Sequence, residues 1–236
     1  MKKFYKLVTT NQHGDQWQIC LDGKPVKTPV KNALETSSYA LAEAMVIEWH
    51  TQQDTINPDT MPVTQILMTM IDRVIPNRAQ LEQEILGYID TDLICYRTDD
   101  PEVYASAQKK AWDPLVKWVE AEFGQSLATT LELKPITQTS ELRSAVTNRV
   151  QRLSPEEFTA LYIATQGMGS LYMAIAALSG KFTPDTLYEA ALIEDLTKDG
   201  IYLAETYGIS PDQERKRAIL KRELGDIALF LEKLRA

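Results

Sequence analysis

The hydrophobic pattern along the chain changes character near residue 75. Before that point, residues 4 to 29 alternate apolar and polar side chains, and Asp22-Gly23 has the composition of a two-residue hairpin turn. Both features predict β-strands. The apolar members of the alternation are Trp17, Ile19 and Leu21. Two or three strands are only marginally stable in water, so this sheet needs a helix on one face.

Helical periodicity follows the strands. Between Ser37 and Gln52, and again from Pro62 to Val74, apolar residues recur every three or four positions, which is typical of helices that bury one face. The first helix carries Leu41, Met45 and Trp49 on one stripe. Asn57-Pro58 interrupts the pattern, and Pro76 is predicted to end the second helix.

Beyond residue 76 the strand signals nearly vanish. Proline recurs there directly behind a capping residue, which predicts the first positions of helices. The five pairs are Asp100-Pro101, Asp113-Pro114, Ser154-Pro155, Thr183-Pro184 and Ser210-Pro211. Three glycines are predicted to end helices: Gly124, Gly180 and Gly208. A heptad-spaced stripe from Leu220 to Leu234 predicts a last helix. Over barely two heptads it favours packing on its own domain, with a coiled-coil seam as the alternative.

These patterns predict an α+β fold class. A small N-terminal β-rich α+β domain over residues 1–75 precedes a larger all-α domain of orthogonal helices over residues 76–236. Four residues are expected to have structural roles in these domains: Trp49, Trp112, Asp113 and Pro114.

The charge balance narrows the functional classes. With 25 basic and 33 acidic residues the formal net charge is −8, which disfavours general binding to nucleic acid or to an anionic membrane. No apolar run reaches the ~18 residues that a membrane helix needs, so no membrane insertion is expected. Cys20 and Cys95 are predicted to be reduced core thiols of an intracellular protein.

The stretch from Glu82 to Glu102 is strongly acidic. It holds seven acidic residues and one basic residue, and it encloses the apolar run Leu93-Ile94-Cys95-Tyr96. Inward packing of that run predicts a rim of carboxylates at the surface. Such a rim can bind a metal, a substrate or a basic partner surface. A small metal-dependent enzyme would use Asp90 and Asp92, yet residues two positions apart on a helix point to different sides.

Other candidate chemistry is sparse. The segment Gly167-Met168-Gly169-Ser170 lacks the residues of a phosphate loop or a nucleophile elbow, and is predicted to let two helices approach closely. His50 has no acid and nucleophile at a recognisable spacing. The sequence therefore predicts no catalytic residue, no metal and no cofactor, and it favours a binding protein over an enzyme.

A set of short motifs is spread over residues 4 to 120. They are Phe4-Tyr5-Lys6, Leu21 to Pro29, Glu48-Trp49, Gln52, Ile56, Pro58, Met61-Pro62, Ile71-Asp72-Arg73, Thr91 to Arg97, Gln108 and Trp112-Asp113-Pro114-Leu115. Fainter matches follow at Gly169-Ser170-Leu171, Glu205, Tyr207-Gly208, Asp212 and Glu214. In order and spacing, the set resembles the assembly chaperone family of the ATP synthase catalytic (F1) sector whose members attend the alpha subunit. The chain departs from that family at Leu203, where glutamine is usual, and at Tyr207, where tryptophan is usual.

The resemblance implies a two-domain chaperone, monomeric alone, that binds the unassembled alpha subunit without nucleotide or metal. It would shield the surface that later faces a beta subunit until beta displaces it. A permanent interface resembles a core cut in half, so it needs a cover before assembly. The resemblance also implies a cytoplasmic protein in a bacterium, or a mitochondrial matrix protein if the chain is a processed organellar homologue.

Two acidic clusters are candidates for the partner contact. The first contains Asp90 and Asp92, and the second, in the tail, contains Glu205, Asp212 and Glu214. Basic residues follow directly behind the tail cluster, so a solvated helix face with ion pairs four positions apart is the alternative there. The resemblance favours the tail.

Overall fold

A computed structural model describes residues 1–202 and 208–236. The described residues form two compact units. The first unit comprises residues 1–79, 154–160 and 226–236, and the second comprises residues 80–153 and the described part of 161–225. The predicted α+β class, with its small sheet at the N-terminal end, is confirmed. The predicted domain boundary at residues 75 and 76 stays a prediction.

The first unit begins with a four-stranded antiparallel sheet. Its strands are β1 (Val8–His13), β2 (Gln16–Leu21), β3 (Lys24–Pro25) and β4 (Glu35–Thr36). Because β1 pairs with the whole length of β2, β3 and β4 must pair with β2 along its other edge. Asp22 and Gly23 have φ angles of 48° and 78°, as a tight hairpin turn of this type requires. The predicted hairpin is confirmed.

The predicted helix on the sheet is also confirmed. Helix α1 (Tyr39–Thr51) begins behind Ser38, whose hydroxyl accepts the N–H of Leu41 at 3.3 Å. It packs on β1 and β2 through a buried stripe that includes Leu41, Met45 and Trp49. Burial of these side chains stabilises both layers.

Pro76 interrupts the second predicted helix, as expected, although a further helical segment follows it directly. Helix α2 (Pro62–Thr69) passes through a π-helical turn (Met70–Val74) into α3 (Ile75–Leu86). Proline has no N–H with which to continue the helical ladder. A wider turn, closed by the Ile75 N–H on the Met70 carbonyl, precedes Pro76. Asn77 then leaves the helical region with φ −120° and ψ 16°, so two helical segments meet at a kink.

The remaining helices lie mainly in the second unit. Two short 3-10 turns (Gly87–Asp90 and Leu93–Cys95) precede α4 (Glu102–Phe123). The later helices are α5 (Ser140–Gln151), α6 (Pro155–Met168), α7 (Leu171–Ser179), α8 (Pro184–Ala191), α9 (Ile193–Ile201) and α10 (Pro211–Arg235). Helix α4 contacts α5, α7, α8 and α9 and is the centre of this unit.

Segments from α6 and α10 complete the first unit. The predicted capping box before α6 is present, since Ser154 Oγ accepts the Glu157 N–H at 3.1 Å and the Glu157 carboxylate accepts the Ser154 N–H at 3.2 Å. Phe158 is fully buried beneath the guanidinium of Arg78, which lies 3.6 Å from the ring centre. The C-terminal part of α10 buries three further apolar side chains: Ile227, Phe230 and Leu231.

Two predicted helix starts are wrong. Helix α4 begins at Glu102 with Pro101 in the capping position, so Asp100 is no cap. Pro114 lies inside the same helix and starts nothing. It is tolerated because Pro114 and Lys110 are both exposed, so water can hydrate the Lys110 carbonyl that loses its helical donor. Within the described part of the chain, no helix has the length and apolar content needed to span a membrane.

Candidate partner-binding surface

The acidic stretch does not form a uniform rim, because Asp92 is fully buried. Its carboxylate accepts hydrogen bonds from the Ser170 hydroxyl at 2.6 Å, the Tyr172 N–H at 3.1 Å and the Ile94 N–H at 3.3 Å. The expectation that Asp92 lies on an exposed rim is therefore wrong. A carboxylate can be buried where several donors surround it, and two of the three donors here come from the N-terminus of α7.

The buried surroundings of Asp92 favour the protonated, uncharged forms of its carboxyl group and of the neighbouring thiol. Burial raises the pKa of Asp92 to about 7, although its hydrogen bonds act in the opposite direction. Burial also raises the pKa of the nearby Cys95 thiol, which keeps it protonated and a poor nucleophile. Both Cys95 and Cys20 are buried free thiols. This cluster is suited to holding the chain together, and it offers no activated group.

Asp90, the other candidate in this stretch, is engaged within its own unit. Its half-buried carboxylate accepts the Gln138 N–H at 3.1 Å and forms an ion pair with Arg143. Among residues 1–202 and 208–236, no group of three or more His, Cys, Asp or Glu side chains is arranged to hold a metal ion.

The one basic residue of the stretch anchors it to α4. Arg97 donates from Nε to the Ile94 carbonyl at 3.0 Å and pairs with Asp113 at 3.2 Å. Its guanidinium lies 5.2 Å from the centre of the Trp112 ring. Trp112 is fully buried and donates its indole N–H to the Ala190 carbonyl at 2.8 Å. Trp112 and Asp113 thus hold the acidic stretch in place.

The described acidic residues of the tail cluster are exposed, unlike Asp92, and have no ion pair, unlike Asp90. Helix α10 begins behind Ser210, whose Oγ accepts the Gln213 N–H at 3.3 Å, as predicted. Asp212 and Glu214 lie exposed on its first turn. Neither carboxylate forms an ion pair or a hydrogen bond with any residue in the described ranges. The third predicted member, Glu205, lies outside the described residues.

Two basic residues farther along α10 are neutralised inside the unit. Arg217 pairs with Asp199 and, at 3.9 Å, with Asp195 of α9, and Lys221 pairs with Asp185 at 3.6 Å. These two basic side chains therefore do not neutralise Asp212 and Glu214, whose carboxylates are available for other contacts.

Exposed apolar side chains lie at the end of α9. Ile201 is 45% exposed and Tyr202 is 67% exposed. The Arg217–Asp199 pair joins the end of α9 to α10. We define the tail surface as these two apolar residues together with Asp212 and Glu214. It offers exposed apolar side chains together with unpaired carboxylates, and an apolar core with a polar rim is the usual anatomy of a protein interface.

Sequence reasoning missed the role of Ser170. This residue caps α7 with its hydroxyl, which accepts the Met173 N–H at 3.0 Å, and donates to Asp92. A serine directly before the apolar run of α7 is the signal that would have found the cap. The predicted close approach at Gly167 is confirmed, since a Cβ there would lie 3.1 Å from Leu220 Cδ1.

Comparisons with known proteins agree on one family. The family model of the ATP12 chaperone protein matches residues 2–120. The crystal structure of Atp12 from Paracoccus denitrificans is similar with a TM-score of 0.87 and 29% identity, over 98% of this chain and 97% of that chain. A variant of the P. denitrificans protein with lysine in place of an aspartate has the same TM-score at 28% identity, over 98% and 97% of the two chains.

A second bacterial structure gives the same result. The Atu1473 protein of Agrobacterium tumefaciens, described as a putative chaperone, has a TM-score of 0.87 and 30% identity, over 99% of this chain and 86% of that chain. The resemblance found in the sequence motifs is thereby confirmed. The chain belongs to the ATP12 chaperone family, the assembly chaperones of the ATP synthase.

Proposed function

We propose that this protein binds the unassembled alpha subunit of the ATP synthase F1 sector. The bound chaperone covers the alpha surface that later faces a beta subunit, and beta displaces it. The chaperone acts as a monomer, without nucleotide, metal or catalysis, in the compartment where the F1 sector is assembled.

The free carboxylates of Asp212 and Glu214 carry this proposal. Of the acidic residues predicted to contact a partner, Asp92 is buried and Asp90 is paired with Arg143. Asp212 and Glu214 are exposed and have no partner in the described part of the chain. Exposed charge that has no ion pair or hydrogen bond within the described part of the fold is available for a complementary basic surface on the client.

The apolar part of the tail surface supports the same assignment. An alpha subunit before assembly exposes apolar area that would otherwise aggregate or pair wrongly. Ile201 and Tyr202 offer apolar contact area for it, and the carboxylates set the orientation. Contacts of this kind can be released when a larger and better-matched beta interface forms.

Charge reversal at Glu214 tests the proposal. Purified alpha subunit is captured on immobilised chaperone, with Glu214→Lys compared with wild type and with Glu141→Lys. Glu141 is a matched control, because it is an exposed glutamate on the first turn of α5 in the same unit. Both changes therefore lose a similar favourable interaction with the helix dipole.

We expect Glu214→Lys to weaken capture at least about tenfold, mainly through the association rate. Glu141→Lys should bind like wild type, and both variants should keep the wild-type melting temperature within a few degrees. Wild-type capture should also weaken as salt is raised. If wild type does not bind alpha, the proposed client is wrong. If Asp212→Lys and Glu214→Lys both bind like wild type, the contact lies elsewhere on the protein.

A further inference from the structure

We infer that the open edge of β1 is a second docking site, which receives an extended strand of the client by backbone pairing. This inference rests on the proposed function for the identity of the client, the alpha subunit. It concerns the first unit, whereas the tail surface belongs to the second unit.

The register of the hairpin shows which backbone groups point outward. The Asp22 N–H donates to the Leu7 carbonyl at 2.9 Å, and the pairing continues without a break from Val8 opposite Leu21 to His13 opposite Gln16. In an antiparallel ladder, hydrogen-bonded pairs alternate with pairs that do not bond to each other. Thr9, Asn11 and His13 therefore bond to β2. The N–H and C=O groups of Val8, Thr10 and Gln12 point away from it.

These six outward groups lack a hydrogen-bond partner in the described ranges outside the ladder. The run is limited at one end by the Asp22 carboxylate, which accepts the N–H groups of Lys6 at 3.1 Å and Leu7 at 2.9 Å. At the other end lies the turn that leads to β2. The free edge is thus a short ladder of defined length, centred on Thr10.

The edge also lacks the features that usually prevent pairing. The strand reads Val-Thr-Thr-Asn-Gln-His, with no acidic residue, lysine, arginine or proline, and its unbroken register contains no bulge. Natural proteins commonly protect exposed edges with lysine, proline, bulges or a covering segment, because an open edge captures other chains. Because the β1 edge lacks these protections, it is available to pair with a strand of another chain.

The chemistry of the edge identifies the class of its occupant, an extended polypeptide. Backbone groups recognise an extended polypeptide and not a particular side chain, which suits a segment that is unpaired only until assembly. Phe4 is 64% exposed and Leu7 is 59% exposed just before the strand, so apolar side chains of an added strand have contacts. A second copy of this chain is disfavoured as the occupant, because each copy carries a net charge of −8.

Proline at position 10 tests the inference without disturbing the hairpin. Thr10→Pro removes one outward N–H and places the ring on the open edge, where a strand tolerates proline. The β1–β2 ladder does not use the Thr10 N–H. Thr10→Ala keeps the N–H and is the matched control, and Asn11→Pro removes a ladder bond and should lower the melting temperature.

We expect Thr10→Pro to capture alpha subunit at least about tenfold more weakly than wild type, with Thr10→Ala unchanged. In the wild-type complex, the amides of Val8, Thr10 and Gln12 should exchange hydrogen at least about tenfold more slowly than in the free chaperone. This measurement decides the question even if Thr10→Pro is poorly folded.

Four outcomes would overturn the inference. The first is wild-type capture of alpha by a folded Thr10→Pro variant, and the second is unchanged amide exchange at the edge in the complex. The third is a wild-type dimer that Thr10→Pro dissociates, since the occupant would then be a second copy. The fourth is a wild-type protein that does not bind alpha, because the proposed client would then be wrong. This last outcome refutes the proposed function as well, whereas the first two refute only the role of the edge.

Discussion

Replacing Asp92 with alanine should strongly destabilise the second unit. The substitution leaves three buried donors without their acceptor: the Ser170 hydroxyl and the N–H groups of Ile94 and Tyr172. A buried donor without a partner costs ~1 to 3 kcal/mol, so the gross loss of folding free energy is about 3 to 9 kcal/mol.

The loss of folding free energy should depend on pH, because Asp92 has different pKa values in the folded and the unfolded wild-type protein. Its pKa is about 7 in the folded protein against an ordinary 3.8. Between these values the folded state binds more protons than the unfolded state, so this contribution to stability falls as the pH rises. It is fully present below pH ~4 and lost above pH ~7. Linkage makes it about 3 kcal/mol larger at pH 5 than at pH 8.

Urea unfolding at pH 5 and pH 8, followed by circular dichroism and tryptophan fluorescence, measures this difference. We expect the wild type to exceed Asp92→Ala in unfolding free energy by about 5 kcal/mol at pH 5 and by about 2 kcal/mol at pH 8. Comparing the two proteins at each pH cancels the other titrating groups. Asp99→Ala, an exposed change in the same unit, should alter stability by less than ~0.5 kcal/mol at either pH. A deficit of Asp92→Ala that is equal at both pH values, or larger at pH 8, would refute the reasoning.

Two further predictions concern packing and caps. Glu48→Ala should lower the unfolding free energy by ~2 to 4 kcal/mol, because the buried Glu48 carboxylate accepts the N–H groups of Val63 at 2.7 Å and Thr64 at 2.9 Å. A loss below ~0.5 kcal/mol in urea unfolding would contradict this. Gly167→Val should destabilise by ~1 to 3 kcal/mol, because its Cβ would lie 3.1 Å from Leu220 Cδ1, whereas Gly167→Ala should cost less because the leucine end can move. Equal melting temperatures for the alanine and valine variants would count against this packing argument.

The sequence predicted features that short-range chemistry determines. The turn at Asp22-Gly23 follows from residues that tolerate positive φ, and the caps at Ser154 and Ser210 follow from a hydroxyl beside the first free N–H groups of a helix. The α1 stripe follows from helical spacing, since one face had to be buried. Neighbouring residues alone decide each of these features.

Features that depend on distant residues could not be predicted in this way. The burial of Asp92 depends on Ser170 and Tyr172, which lie 78 and 80 positions away. Pro114 stayed within a helix because its exposed face compensates for the missing N–H group. The tail surface was predicted from the resemblance, and the free state of Asp212 and Glu214 became visible only once their surroundings were known.

The first unit consists of three separate segments of the chain, and this affects how it folds during synthesis. Residues 1–79 leave the ribosome first, but the unit also requires residues 154–160 and 226–236. At ~5 to 20 residues per second, synthesis of the roughly 150 intervening residues takes about 7 to 30 seconds. The unit lacks the buried side chain of Phe158 for about the first half of that interval, and it lacks those of Ile227 and Phe230 throughout. During its own synthesis, this assembly chaperone therefore passes through a state in which its first unit is incomplete.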